Sequence, residues 1–326
     1  MAKVMAVFLL ALIFAFLNGF HDSANIVALA ISSKAIRPGR ALALAALAEF
    51  VAPFAFGVAV ATTIGHDLVE PKSMRVEALA VALASAIVWS LITWYKGIPS
   101  SSSHALLGGI IGVAVASGGL SIVKPYGLYK VVLSLFLSPL LGFIGGFFLM
   151  KITLWLARGA SPRVNLLFKR AQIAATVMLA LSHGSNDAQK SIGVMAMALA
   201  GMRGGEDFFI PSWIKLLCAA AIAAGVGAGG WRIMRTIGGK FYKIRPIHGF
   251  SAQLSSVGVI LGAVLTGGPV STSQVVSSAI VGVGSAERLS KVRWKVFREI
   301  ALSWLVTFPL TALIAWGLSL LLRLGT

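Results

Sequence analysis

About ten stretches of roughly 20 predominantly apolar residues run the length of this chain. A soluble domain exposes too much surface to hide that many. A bilayer accepts them, but only as structures that satisfy their own backbone hydrogen bonds, and apolar segments of this length do so as helices. They lie near Val4–Ser32, Ala41–Ile64, Ala78–Tyr95, His104–Val123, Val131–Leu156, Ala171–Ala200, Trp213–Met234, Phe250–Leu265, Ser271–Gly284 and Phe297–Leu322. Composition agrees: 58% of the 326 residues are hydrophobic and 12% charged, where soluble domains carry about 25% charged residues. The chain reads as an all-α polytopic membrane protein. Val4 to Leu17 behind Lys3 has the form of a signal peptide. No small-residue cleavage site ends it, so it reads as a retained first span.

The net charge of +18 does not indicate nucleic acid, because the basic residues gather in short loops between the spans. Lys34, Arg37 and Arg40 share one loop; Arg158, Arg163, Lys169 and Arg170 share another. Arg232, Arg235, Lys240, Lys243 and Arg245 form a third, and Arg288, Lys291, Arg293, Lys295 and Arg298 a fourth. The other loops are mixed or acidic, with Asp67, Glu70, Glu206 and Asp207. With every basic loop cytoplasmic, as the positive-inside rule expects, about ten crossings satisfy the parity and place both termini outside. The expected location is the cytoplasmic membrane. Ala78–Tyr95 and His104–Val123 are equally two full spans or one re-entrant hairpin with its tip at Gly97 to His104. The single cysteine, Cys218, excludes an intramolecular disulfide.

The chain also contains itself twice. Pro99-Ser100-Ser101-Ser102-Ser103 precedes Ile110-Ile111-Gly112-Val113 by the same spacing that separates Pro269-Val270-Ser271-Thr272-Ser273 from Ile280-Val281-Gly282-Val283. Gly19 to Asn25 interrupts the first apolar span, and Gly184 to Lys190 the sixth. Each half, 1–160 and 161–326, thus holds an Asp motif expected to break its helix, followed by a Pro-Ser hairpin tip. Five crossings per half make the second copy run in the opposite sense. Inverted repeats with discontinuous helices meeting at the midplane are an architecture of secondary transporters.

Charge inside a bilayer costs about 2.5–3.5 kcal/mol per residue on insertion scales, which makes Asp22, Glu49, Asp187 and Lys190 functional candidates. His104 directly follows the first serine turn and is expected to bind the substrate with it, and His21 and His183 flank the Asp motifs and are expected to orient them. A helix that begins at a Pro-Ser turn points free N–H groups and its positive dipole end at the tip. Two such tips make an oxyanion site, with hydroxyls from Ser101, Ser102, Ser103, Ser271, Thr272 and Ser273. Buried aspartates repel an anion unless a cation intervenes, so Asp22 and Asp187 are expected to take up H+ or Na+, with Glu49 as a further coupling residue. Asn25 and Asn186 add oxygen ligands; with sodium, Asp22, Asn25 and Asp187 would be the metal ligands. The halves differ three residues on: Asn25 follows Asp22, whereas Lys190 follows Asp187, where an ammonium can pair with Asp187, replace a cation or attract the anion.

These motifs resemble the inorganic phosphate transporter (PiT) family, in its shorter bacterial form, over nearly the whole chain. The resemblance rests on Asn18 to Asn25, Gly97 to His104, Ser182 to Lys190, Arg245-Pro246-Ile247-His248-Gly249-Phe250 and Pro269 to Ser273. It implies inward symport of inorganic phosphate with sodium or protons, as a neutral metal–phosphate complex in some bacterial relatives. It also implies an inverted-repeat fold with hairpin tips at the anion site; no cofactor is expected beyond the co-transported H+ or Na+. Membrane lipid is the other expected partner, and a homo-oligomer is an open alternative. Two positions depart from the family: the second turn commonly reads S-T-T-H, here Ser271-Thr272-Ser273-Gln274, and Gln253 stands where a Glu is common. A sulfate or other oxyanion permease of the same superfamily is the alternative on substrate. An intramembrane serine hydrolase using Ser103 and His104 is disfavoured, because adjacent residues diverge around a helix and the second turn has no His. A passive channel would need no paired aspartates.

Overall fold

The computed structural model describes residues 1–69, 74–202 and 208–324, so Glu70, Glu206 and Asp207 lie outside the described residues. The helices are α1 (Ala2–Ser32), α2 (Pro38–Ala55), α3 (Ala59–Thr62), α4 (Val76–Lys96), α5 (Ser102–Gly118), α6 (Pro125–Leu156), α7 (Val164–Met202), α8 (Ser212–Ala228), α9 (Trp231–Gly239), α10 (Pro246–Thr266), α11 (Thr272–Glu287) and α12 (Trp294–Leu324). Seven are long and apolar enough to cross a membrane, or eight if the bent pair α8–α9 is one span. The apolar windows near His104–Val123 and Ser271–Gly284 become α5 and α11, the shorter arms of two hairpins.

Each hairpin is built from the same parts. α4 and α10 stop at Gly97 (φ 65°) and Gly267 (φ 72°), left-handed residues that a side chain would strain. Bonds from Ile98 N to Thr93 O (3.0 Å) and from Gly268 N to Ala263 O (2.8 Å) close the two helix ends. Pro99 and Pro269 follow, and the serine hydroxyls then start the next helices. Ser101 Oγ accepts from His104 N at 3.1 Å and Ser271 Oγ from Gln274 N at 3.4 Å, the cap positions that serine favours.

The helices that hold the Asp motifs are unbroken. α1 and α7 run straight through Asp22 and Asp187, which corrects the expectation that these motifs interrupt their spans. The polar run contains no proline, and its side chains bond one another within the helix, so no backbone group needs to be released. The breaks fall in the helices that follow α1 and α7. α2 ends before the extended residue Phe56, two turns of chain after Glu49 and just past Pro53; α8 and α9 meet at Gly229-Gly230 with a bend of 67°. The Asp motifs repair these breaks from across the molecule. Gln189 Oε1 accepts from Val60 N (2.9 Å) and Ala61 N (3.1 Å), and its Nε2 donates to Gly57 O (2.8 Å). Ser23 Oγ accepts from Gly230 N at 2.7 Å.

Packing follows the same exchange. α1 packs on α8 and α7 on α2; α5 packs on α12 and α11 on α6. α6 and α12 turn apolar side chains outward, among them Phe136, Phe148, Leu305 and Leu313. That surface suits lipid rather than water. Buried apolar residues form two cores, and both α1 and α7 pass from one to the other. Val7, Ala11 and Phe14 share a core with Ala188 and Ile192, whereas Ala24, Ile26 and Val27 share one with Leu179 and Ala180. The seam between the cores lies at Asp22 and Asp187.

Candidate functional site

At this seam the two Asp motifs and the two hairpin tips converge. The tips lock onto each other reciprocally: Ser103 Oγ donates to Val270 O (2.7 Å), and Ser273 Oγ donates to Ser100 O (2.8 Å). Ser101 and Ser271 cap their own helices, and Ser101 Oγ also meets His104 Nδ1 at 2.7 Å. Ser102 and Thr272 face the charges. Thr272 Oγ1 donates to Asp22 Oδ2 at 3.4 Å, and Lys190 Nζ donates to Ser102 Oγ at 3.4 Å. As the first residues of α5 and α11, Ser102, Ser103, Thr272 and Ser273 carry N–H groups without intrahelical acceptors.

The charged cluster is fully buried. Lys190 pairs with Asp187 Oδ1 at 2.8 Å. Asn25 Nδ2 donates to Asp22 Oδ1 at 2.6 Å. Asn186, its amide turned to donate, reaches Asp187 Oδ1 (3.1 Å) and Val270 O (3.2 Å). His183 stands between the aspartates, its Nε2 3.5 Å from Asp22 Oδ2 and 3.4 Å from Asp187 Oδ2, while its Nδ1 meets Glu49 Oε1 at 2.6 Å. Gly184 permits this approach, since a Cβ there would come within 2.8 Å of the Ala52 Cβ on α2.

Asp22, His183 and Asp187 offer ligand atoms within 4.8 Å of one another, the spread that one hard cation with bonds of about 2.4 Å bridges. Asn25 Oδ1, Glu49 Oε2 and Asp187 Oδ2 are buried without hydrogen bonds. Three carboxylates thus face one lysine and one histidine, which leaves the cluster short of positive charge.

The structure brings the expected segments together and places His183, expected only to orient the Asp motifs, between both aspartates and Glu49, a position that depends on how α1, α2 and α7 cross. Thr93, which carries no local sequence signal, joins the first tip: its hydroxyl touches His21 Nε2 (3.3 Å) and Ser100 Oγ (2.9 Å). His104 and Gln274, equivalent in the two hairpins, line an apolar cavity of about 360 Å³ with Trp304 and Phe308. Gln253 is a structural tie, its Nε2 donating to Ile26 O and Thr176 Oγ1, both at 3.0 Å. His104 meets Ser101 rather than Ser103, which removes the geometric basis for a Ser103–His104 dyad.

Comparison with known proteins agrees with this architecture. Residues 18–315 match the model of the phosphate transporter family. The chain is 41% identical to the probable low-affinity inorganic phosphate transporter of Bacillus subtilis, across 93% of this chain and 92% of that one. It is 40% identical to the protein of the same name from Rhizobium meliloti, across 94% and 92%. A solved structure titled "The sodium-dependent phosphate transporter" superimposes with a TM-score of 0.89 at 26% identity, covering 99% of this chain and 100% of that one. These relatives are transporters rather than enzymes. The chain is a multi-pass membrane protein and belongs to the phosphate transporter family.

Proposed function

We propose that this protein imports inorganic phosphate together with H+ or Na+ by alternating access between two inverted halves, 1–160 and 161–326. The observation that carries the reading is the meeting of two hydroxyl-bearing helix N-termini with the buried Asp22–His183–Asp187 cluster. The tips supply neutral donors from Ser102, Thr272 and the N–H groups behind them, and Lys190 supplies a fixed positive charge. Ser103, Ser273, Ser101 and Ser271 hold the tips in register. Asp22, with Asn25 and Asp187 beside it, takes the cation, and Asn186, Glu49 and His183 hold the aspartates in place. A cation at the aspartates relieves the repulsion that an incoming anion would meet, so neither ion enters well alone.

Phosphate fits this site better than sulfate. Near neutral pH phosphate keeps at least one O–H, which a buried carboxylate can accept, whereas sulfate has none to offer. Both halves contribute to each side of the site: Asp22 meets the second tip, and Lys190 meets the first. Movement of one core against the other at this seam would expose the site to either face in turn. In the proposed orientation the basic loops lie in the cytoplasm and both termini outside.

Radiolabelled phosphate uptake into proteoliposomes, under an imposed sodium or proton gradient and with unlabelled sulfate as competitor, tests the reading. Uptake that follows one gradient and ignores sulfate is expected. Uptake that persists without any cation gradient would leave a passive channel, and strong block by sulfate would assign a different anion. Ser102→Ala and Thr272→Ala are each expected to raise KM for phosphate about tenfold, since a hydrogen bond to a charged group contributes about 1.5–3 kcal/mol. Unchanged KM in both would remove the tips from the binding site.

A further inference from the structure

The Arg245-Pro246-Ile247-His248 motif lies far from the aspartates. It starts α10, whose 21 residues put about 30 Å between it and the hairpin tip. There the open end of the second hairpin is clamped by Glu287, the last residue of α11. Glu287 pairs with Arg245, with His248 Nε2 (3.2 Å) and with Lys291 (2.5 Å). His248 Nδ1 accepts from Arg245 N at 3.2 Å, and its Nε2 lies against both Glu287 Oε2 (3.2 Å) and Arg245 Nη2 (3.1 Å).

Beside this clamp is a cavity of about 510 Å³ whose lining is Tyr242, Lys243, Arg245, His248, Lys291 and Arg293. Its floor is rigid. Tyr242 OH donates to Ile280 O at 3.0 Å, the Tyr242 ring stands edge-on to His248 with centroids 5.4 Å apart, and Arg293 N donates to Phe241 O at 3.2 Å. Four cations therefore surround one cavity against a single carboxylate. Glu287 is already shared by Arg245 and Lys291, and Lys243 and Arg293 make no ion pair among the described residues. The positive end of α10 points to the same place. Two apolar spans begin here, α10 at Pro246 and α12 at Trp294, and the exposed Trp294 ring lies beside them. That combination marks the headgroup level of a bilayer.

We propose that this pocket binds a phosphate-bearing anion at the membrane surface, with the headgroup of an anionic phospholipid as its source. Basic pockets between spans at the cytoplasmic side recognise such headgroups. The site is separate from the transport site and does not depend on which anion is carried. An occupied pocket would brace the open end of the hairpin whose other end forms the second tip.

The test is native mass spectrometry of the protein released from nanodiscs of phosphatidylcholine doped with phosphatidylglycerol. The wild type is compared with Lys243→Gln/Arg293→Gln and with the charge-preserving Lys243→Arg/Arg293→Lys. Both side chains are exposed, so the variants are expected to fold, which thermal unfolding in detergent checks. Each surface cation contributes about 1 kcal/mol towards an anionic lipid, so the neutral variant should retain phosphatidylglycerol about 30-fold less well. The charge-preserving variant should match the wild type. Equal retention by all three proteins overturns the proposal. A second arm adds inorganic phosphate: no displacement supports the lipid headgroup, whereas displacement, with phosphate bound in pure phosphatidylcholine, keeps the anion site and overturns the lipid source.

Discussion

Asp22→Asn is expected to abolish gradient-driven phosphate accumulation while the protein keeps its fold. The substitution keeps the shape and removes the charge. Asn25 Nδ2, now 2.6 Å from Asp22 Oδ1, can still donate to the new amide oxygen. Among the described residues Asp22 makes no ion pair with a lysine or arginine; its neighbour is His183 at 3.5 Å. Neutralising it therefore strands no fixed cation, and the usual large penalty for breaking a buried ion pair does not arise. What is lost is the charge that draws in the coupled ion. The expected fall in the initial uptake rate is about 100-fold, the upper range of a charge-assisted interaction. Phosphate exchange between equal internal and external pools should fall less, because it requires no net movement of the coupled cation. Parallel measurement of accumulation and exchange, with thermal unfolding as the fold check, decides it. Full accumulation by the Asp22→Asn/Asp187→Asn double variant would sink the coupling model.

This expectation was reachable from sequence because the aspartates, the proline-serine turns and the apolar spans are local signals. The ten windows reappear as helices or helix pairs with ends shifted by a few residues. The tips were legible because glycine, proline and serine each have a defined task in a helix–turn–helix. The state of the backbone at Asp22 and Asp187 was not. A run such as Gly19-Phe20-His21-Asp22-Ser23-Ala24-Asn25 has the composition of a loop, and only the packed molecule shows Asn25 bonding Asp22 within the helix and Ser23 bonding Gly230 across to α9. The true breaks had quieter signals: Pro53 ahead of Phe56-Gly57, and the pair Gly229-Gly230. Gln189 and Ser23, which service those breaks, and His183, which joins both aspartates to Glu49, act across distances that no local pattern encodes.

The difference between Asn25 and Lys190 leads to the second large effect. In the first half, Asp22 keeps a neutral amide beside it and Asn25 Oδ1 has no partner. In the second half, the Lys190 ammonium occupies the matching place, 2.8 Å from Asp187 and 3.4 Å from the Ser102 hydroxyl of the opposite tip. On the proposed mechanism, the Lys190 ammonium stands where a mobile cation would otherwise sit beside Asp187. Removing it by Lys190→Met leaves the Asp187 carboxylate buried without its partner, which should destabilise the fold by about 3–5 kcal/mol. Lys190→Asn is the more informative change, because it gives the second half the Asp-x-x-Asn arrangement of the first. A mobile cation can then take the place of the tethered one. At low cation concentration this variant should bind phosphate about tenfold more weakly, having lost a charge-assisted donor beside the tip. Raising sodium or lowering pH should restore uptake, with the cation dependence steepened by about one ion, one mobile charge for one lost ammonium. A Lys190→Asn protein that transports with the wild-type cation dependence would show that the ammonium only neutralises Asp187 and has no share in coupling.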